Sequence, residues 1–288
     1  MASKENVSTS QRATFSGHET FQCKRLWLKK GYDYLKKGKS FRDEDAVVEL
    51  GVGKNMVNSL RYWLRAFGIT DPNDTPTAIG ELIFSDGGYD PFLEDVQTLW
   101  LLHYLLVSTN YATLYNILFT AIHQERESFS KQYVEDYIKH QFDEEIFRGV
   151  VYNKNTIHKD ITTLLKLYVP PQGKNLDDLT SALLDLNALK AEKNDTYRFN
   201  VHNKTAVDPL IFLYAIKSIA GNDCVVEYSK LLQLARIFCL TQGEMYEIFN
   251  AINKQINDIS FSNTAGEQLF SINCTISEQQ VLSMYYRG

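Results

Sequence analysis

Apolar positions recur at helical spacing through most of the chain and alternate in only a few short stretches. Phe15, Phe21, Leu26, Leu28, Tyr32 and Leu35 predict a first amphipathic helix that stops near Gly38. Ala46, Val47 and Leu50 predict a second, capped by Asp43 or Asp45 and interrupted at Gly51. Val57, Leu60, Leu64 and Phe67 give a third helix its inward stripe. Small or apolar residues at Ala46 and Val47, a turn at Gly51, Val52 after it, then Val57 and Leu60 inward, fit a helix-turn-helix. Thr77 to Phe84 reads as a short helix or strand, which supplies either a wing or a packing arm for the next bundle.

Beyond Pro91 the pattern becomes densely apolar. Phe92 to Leu106 predicts a helix apolar on nearly every side, a central scaffold, and Tyr111 to Ile122 predicts its hairpin partner. Helices follow over Tyr133–Ile138, from a cap at Asn153 to Tyr168, and over Leu179–Leu186, with a β-hairpin from Leu189–Glu192 and Thr196–Asn200. The order then repeats: helices over Pro209–Ile219, Val226–Ile237 and Thr241–Ile256, and a hairpin pairing Ile259–Ser262 with Gln268–Ile272 around Asn263–Gly266. The predicted fold class is mainly α, with repeated winged-helix or helix-turn-helix modules and small β-hairpins around a helical hairpin. The predicted modules are residues 1–88, 89–128, 129–203 and 204–288.

Charge sharpens this picture. The net charge is −5, yet Lys24 to Ala66 holds eleven basic against five acidic residues, a local +6 that leaves −11 elsewhere. A basic module on an acidic body suits a protein that meets phosphate with one face, although a solvated lysine-rich helix has the same charge. The outward side of the third helix is predicted to be Lys54, Asn55, Asn58, Ser59, Arg61 and Arg65. Lys and Arg meet phosphates or guanine edges, and Asn pairs with adenine, so this is the first candidate DNA face. A second candidate face is Asn155, His158, Lys159, Thr162 and Lys166, with Asp160 placed among them as a detraction. In the last module the corresponding helix exposes Glu244, Glu247 and Asn250, which repel phosphate and suit a protein contact.

No catalytic or cofactor motif survives inspection. Gly51-Val52-Gly53-Lys54-Asn55 lacks the upstream glycine of a phosphate loop, its Ser or Thr, and its preceding strand. His18-Glu19 lacks the second histidine of a zinc protease, because Gln22 stands there; Ser16, Glu19 and Thr20 read as caps of the first helix, with His18 against an aromatic ring. His103, among leucines, reads as a hydrogen-bonded core residue. Cys23, Cys224, Cys239 and Cys274 are scattered and read as reduced thiols, so no metal and no cofactor is predicted. With no apolar run long enough for a membrane span and no signal-peptide pattern, a cytoplasmic protein without membrane contact is expected.

Several longer runs carry a resemblance. Phe15-Ser16-Gly17-His18-Glu19-Thr20-Phe21, the run Asp45 to Val57 with Arg61-Tyr62-Trp63, and Asp90 to Asp95 with Thr98 to His103 resemble bacterial domain-of-unknown-function family 4007, as do Asn155-Thr156 and Asp160-Ile161. The resemblance covers most of the chain. It implies an accessory protein encoded beside DNA phosphorothioate modification and phage-defence loci, partnered by other protein components of such a system. The leading expectation is a non-enzymatic protein that binds duplex DNA. The alternative is a protein–protein adaptor built from the same modules, and an enzyme ranks third.

Overall fold

The computed structural model describes residues 13–109, 111–147, 149–171, 180–221, 223, 225–256, 259–264, 267–272 and 276–288. Four helices form the N-terminal part: α1 (Trp27–Lys36), α2 (Ala46–Leu50), α3 (Lys54–Ala66) and α4 (Ala78–Phe84). The scaffold helix α5 (Val96–Ser108) follows, started by Asp95 accepting the Gln97 N–H. Every residue of α5 from Thr98 to Val107 is buried, as its all-round apolar pattern requires. A sharp corner leads to α6 (Thr113–Ile117), a π-helical turn (Leu118–Ile122) and the short α7 (His123–Glu125).

The remainder repeats one order of elements. Strand β1 (Ser128–Ser130) precedes helices α8 (Lys131–Asp143) and α9 (Lys154–Tyr168), then strands β2 (Leu189–Ala191) and β3 (Thr196–Phe199). After the second largely buried helix, α10 (Pro209–Ala220), come β4 (Val225–Glu227), α11 (Tyr228–Ile237), α12 (Gln242–Gln255), β5 (Ile259–Thr264) and β6 (Glu267–Ile272), and finally α13 (Glu278–Arg287). The sheets are antiparallel and have the same layout: β1-β3-β2 and β4-β6-β5. In each, the strand before the two helices pairs with the last strand of the hairpin.

Both predicted hairpins are present, while several helix predictions shift. The first helix starts at Trp27, and the Phe15–Phe21 run before it is a chain of turns with left-handed backbone at Ser16, Glu19 and Thr20. None of those three residues therefore caps α1, whose N-cap is Leu26 without a side-chain bond. Ala78–Phe84 is helical, with the Thr77 hydroxyl at its N-cap accepting the Gly80 N–H, so no wing stands there among the described residues. In the segment predicted as a helix over Leu179–Leu186, Leu184–Leu186 forms one 3₁₀ turn, and Leu179 lies outside the described residues. Val226 and Glu227, predicted as helical, are instead strand residues before α11, where alternation outweighs a helical stripe. Ala265 and Gly266 of the predicted turn, and Cys224 and Cys274, lie outside the described residues; Cys23 and Cys239 are buried free thiols.

His103 sits at the centre of the core. Its Nε2 lies 2.7 Å from the Ile237 carbonyl, which only accepts, so Nε2 carries the proton and Nδ1 accepts the Tyr168 hydroxyl at 2.7 Å. Phe119 of the π-helical turn packs edge-on against the ring at 4.5 Å. Burial pushes the His103 pKa down to about 4, and burial does the same to His123, which stacks on Phe199. Between about pH 6.5 and pH 4 the unfolded chain therefore binds protons that the folded chain does not, and stability falls as pH falls. Each histidine is expected to remove on the order of 2–3 kcal/mol by about pH 4.5. Urea unfolding across this window checks it; a constant unfolding free energy would show that these rings are not held neutral in the fold.

Candidate nucleic-acid interface

Helices α2 and α3 meet at a glycine corner. Gly51 takes the left-handed conformation with φ of +61°, ending α2 and turning the chain into α3. Val57, Leu60 and Leu64 are buried, and Lys54, Asn55 and Asn58 are exposed. Ser59 corrects the predicted outer face: it is 0% exposed, with its hydroxyl 3.5 Å from the Phe21 carbonyl. The inward face is wider than the apolar stripe suggested, because the Phe15–Phe21 turns pack along it.

The arginines of α3 are also committed. Arg61 Nε lies 2.8 Å from Asp74 Oδ2, Arg65 Nε lies 2.9 Å from Asp74 Oδ1, and Arg65 Nη2 donates to the Pro72 carbonyl at 2.7 Å. One carboxylate in the 70–76 turn thus grips both guanidiniums through charge-assisted bonds. Acids from outside the stretch, Asp74, Glu81 and Asp185, reduce the local +6 to +3, and other basic groups are paired within it. Arg25 pairs with Asp185, Lys29 with Asp33, Lys36 with Glu81, and Lys39 with Asp45 and Glu49, while Lys30 caps the Leu50 carbonyl. Asp74, Glu81 and Asp185 lie outside the basic stretch in sequence, so charge counting along the chain could not include them.

Helix α9 is arranged differently. Asn153 caps it by accepting the Thr156 N–H at 3.0 Å, and Ile157, Ile161, Leu164, Leu165 and Tyr168 face the core. Lys154, Asn155, His158, Lys159 and Lys166 are exposed, and Thr162 is half-buried. Lys154, Lys159 and Lys166 have no acidic partner among the described residues, whereas His158 Nδ1 lies 2.6 Å from the buried Glu135. Between the C-terminal half of α9 and the β2–β3 hairpin runs a groove of about 710 Å³, lined by Lys131, Lys166, Lys193 and Tyr197 and by the acids Glu192 and Asp195, the latter paired with Lys131.

Asp160 does not share that outer face. It is 3% exposed and turned inward, where both carboxylate oxygens accept the Ser16 N–H at 2.9 Å. His18 Nε2 lies 3.0 Å from Asp160 Oδ1, a close polar contact off the line of an ideal hydrogen bond. His18 Nδ1 accepts the Thr20 N–H at 3.1 Å, and the ring stacks on Trp63 at 6.0 Å and meets Tyr62 edge-on. Spacing held a signal for this: Asp160 lies three residues after Ile157 and four before Leu164, on the apolar stripe. An acid in such a stripe has a buried partner.

In the last module the Glu244 carboxylate is half-buried. It completes a capping box with Thr241 and pairs at 2.7 Å with the buried Lys204, leaving Glu247 and Asn250 on the exposed side of α12. Among the described residues no group of three or more His, Cys, Asp or Glu is placed to hold a metal ion. No single helix there is long and apolar enough to cross a membrane.

The chain belongs to the family described as protein of unknown function (DUF4007), whose profile matches residues 15–286. Its fold is that of SspB: a magnesium-ion-bound crystal structure of SspB superposes with a TM-score of 0.83 and a second SspB crystal structure with 0.82. Each is 23% identical in sequence, over 96% of this chain and 88% of SspB. No curated protein sequence matches the chain.

The packing of the Ser16–His18 turn leaves no room for a side chain at Gly17. A Cβ there would lie 2.3 Å from the Tyr62 ring, inside a buried aromatic cluster. Gly17→Ala is expected to destabilise the protein by about 1–3 kcal/mol, measured by urea unfolding. An unchanged midpoint would show that the ring moves aside freely.

Proposed function

We propose that this protein binds duplex DNA as an accessory component of a larger assembly, and that α9 with the β2–β3 hairpin is its DNA face. The two C-terminal modules are read as winged helices: a strand, two helices and a hairpin, with the first strand paired to the hairpin's last. In that plan α9 is the helix presented to the groove and β2–β3 is the wing. The observation that carries the proposal is that α9 exposes Lys154, Lys159 and Lys166 without acidic partners among the described residues, while its one acid, Asp160, is turned inward. Asn155 adds an amide that suits an adenine edge, and Lys166 and Lys193 line the groove beside the wing. The first predicted face is the weaker one, because Asp74 holds Arg61 and Arg65 and leaves Lys54, Asn55 and Asn58 as its exposed groups.

The adaptor reading retains support in one place. The outer surface of α2 exposes Val48 (81%) and Val47 (37%) beside the acids Asp43, Glu44 and Glu49, a surface suited to protein and unsuited to phosphate. The N-terminal module is accordingly assigned to protein contact within the assembly. The setting implied by the family resemblance, DNA phosphorothioate modification or phage defence, is proposed for it.

A salt titration separates the two faces. Lys159→Ala and Lys166→Ala are each expected to reduce the slope of log affinity against log salt by about 0.9, the signature of one lost phosphate contact. Arg61→Ala with Arg65→Ala is expected to leave that slope unchanged. The reverse pattern would return the DNA face to α3, and an absence of salt-dependent binding to duplex DNA would leave the adaptor role.

A further inference from the structure

We infer that the Phe15–Phe21 segment is a latch that sets the orientation of α9 and that Asp160 is the positioning residue it grips, an inference that rests on the DNA-binding reading above for its functional consequence. Successive residues of a helix point about 100° apart, so the direction of the Asp160 carboxylate fixes where its neighbour Lys159 points. That carboxylate is buried, and the donors that meet it come from 144 residues earlier in the chain: the Ser16 N–H at 2.9 Å, with His18 Nε2 at 3.0 Å. A buried polar group without its partners is costly, so α9 cannot roll about its axis without giving up the Ser16 bonds.

The latch is itself held rigidly. The Thr20 N–H occupies His18 Nδ1, which places the proton of the neutral ring on Nε2, the atom facing Asp160. On the other side the segment is fastened to α3: Trp63 Nε1 donates to the Phe21 carbonyl at 3.0 Å, and the His18 ring stacks on the Trp63 indole. Left-handed backbone at Ser16, Glu19 and Thr20 costs conformational energy, which the contacts at both ends offset. The segment therefore bridges the helix-turn-helix corner and α9 and holds them in one disposition.

Asp160→Asn keeps the side-chain volume, removes the charge and turns an amide N–H₂ toward the same donors. In this variant, amide hydrogen exchange over Ile157–Leu164 is expected to accelerate about tenfold relative to α12. Affinity for a short duplex should fall about tenfold, equivalent to about 1.4 kcal/mol, with the salt slope unchanged because the lysines remain. By linkage, adding duplex to the wild-type protein should slow exchange of the Ser16 amide, which a merely structural turn would not show. Unchanged exchange in α9, or faster exchange with unchanged affinity and no response at Ser16, would overturn the latch. Should Asp160→Asn not fold, His18→Gln leaves the Ser16 bonds in place and is expected to change α9 exchange and affinity in the same direction by a smaller factor; no change in either overturns the latch. Failure of the wild-type protein to bind duplex would instead overturn the DNA reading, and the latch then stands or falls on the exchange rates of α9 alone.

Discussion

A carboxylate inside a protein interior is costly unless donors are already in place around it, and Asp160 is the buried acid on which the placement of α9 depends. Its requirement reaches far along the chain. Ser16 must present a backbone N–H inward, Gly17 must pass a tyrosine ring without a side chain, and His18 must stand on Trp63. Those demands fix the path of the N-terminal segment across α3, and through it the relation between the α2–α3 corner and the first of the two repeated modules. Behind α9 the same helix runs into the core at Tyr168, whose hydroxyl meets His103 of the scaffold helix. Helix α9 is thus fastened at its N-terminal half by a polar latch and at its C-terminal end by a buried histidine.

Electrostatics separate two helices that look alike in composition. Both α3 and α9 carry lysines or arginines and asparagines at helical spacing. On α3 the two guanidiniums share one aspartate from a turn nine and thirteen residues away, so they brace the corner and half of their charge is offset. On α9 the lysines project from the surface with their acid withdrawn behind them. Formal charge along a sequence is therefore a poor guide to surface potential, because pairing across loops removes charge that counting retains.

Much of the fold was legible because it follows from periodicity. The all-round apolar pattern of Val96–Ser108 marked the scaffold, alternation marked both hairpins, and Gly51 with its flanking residues marked the corner. What periodicity hid was set by contacts distant in sequence. Phe15–Phe21 has the aromatic spacing of a helix but the turn-forming task of reaching Asp160, and tertiary demand overrode local pattern. Ser59 reads as an outer residue because it is polar, although the same segment covers it. Asp160 was placed among the outer residues although its spacing from Ile157 and Leu164 set it on the inward stripe. For the site, the residue types on α9 were visible in the sequence; which face deserved priority depended on Asp74 and Asp160, whose partners only the fold brings together.

The central claim is that DNA lies against α9, and photo-crosslinking tests it most directly. A photoreactive residue placed at Lys159 or Lys166 should form crosslinks to bound duplex, while one at Lys54 or Asn58 should form none. Crosslinks from positions 54 and 58 with none from positions 159 and 166 would contradict the account.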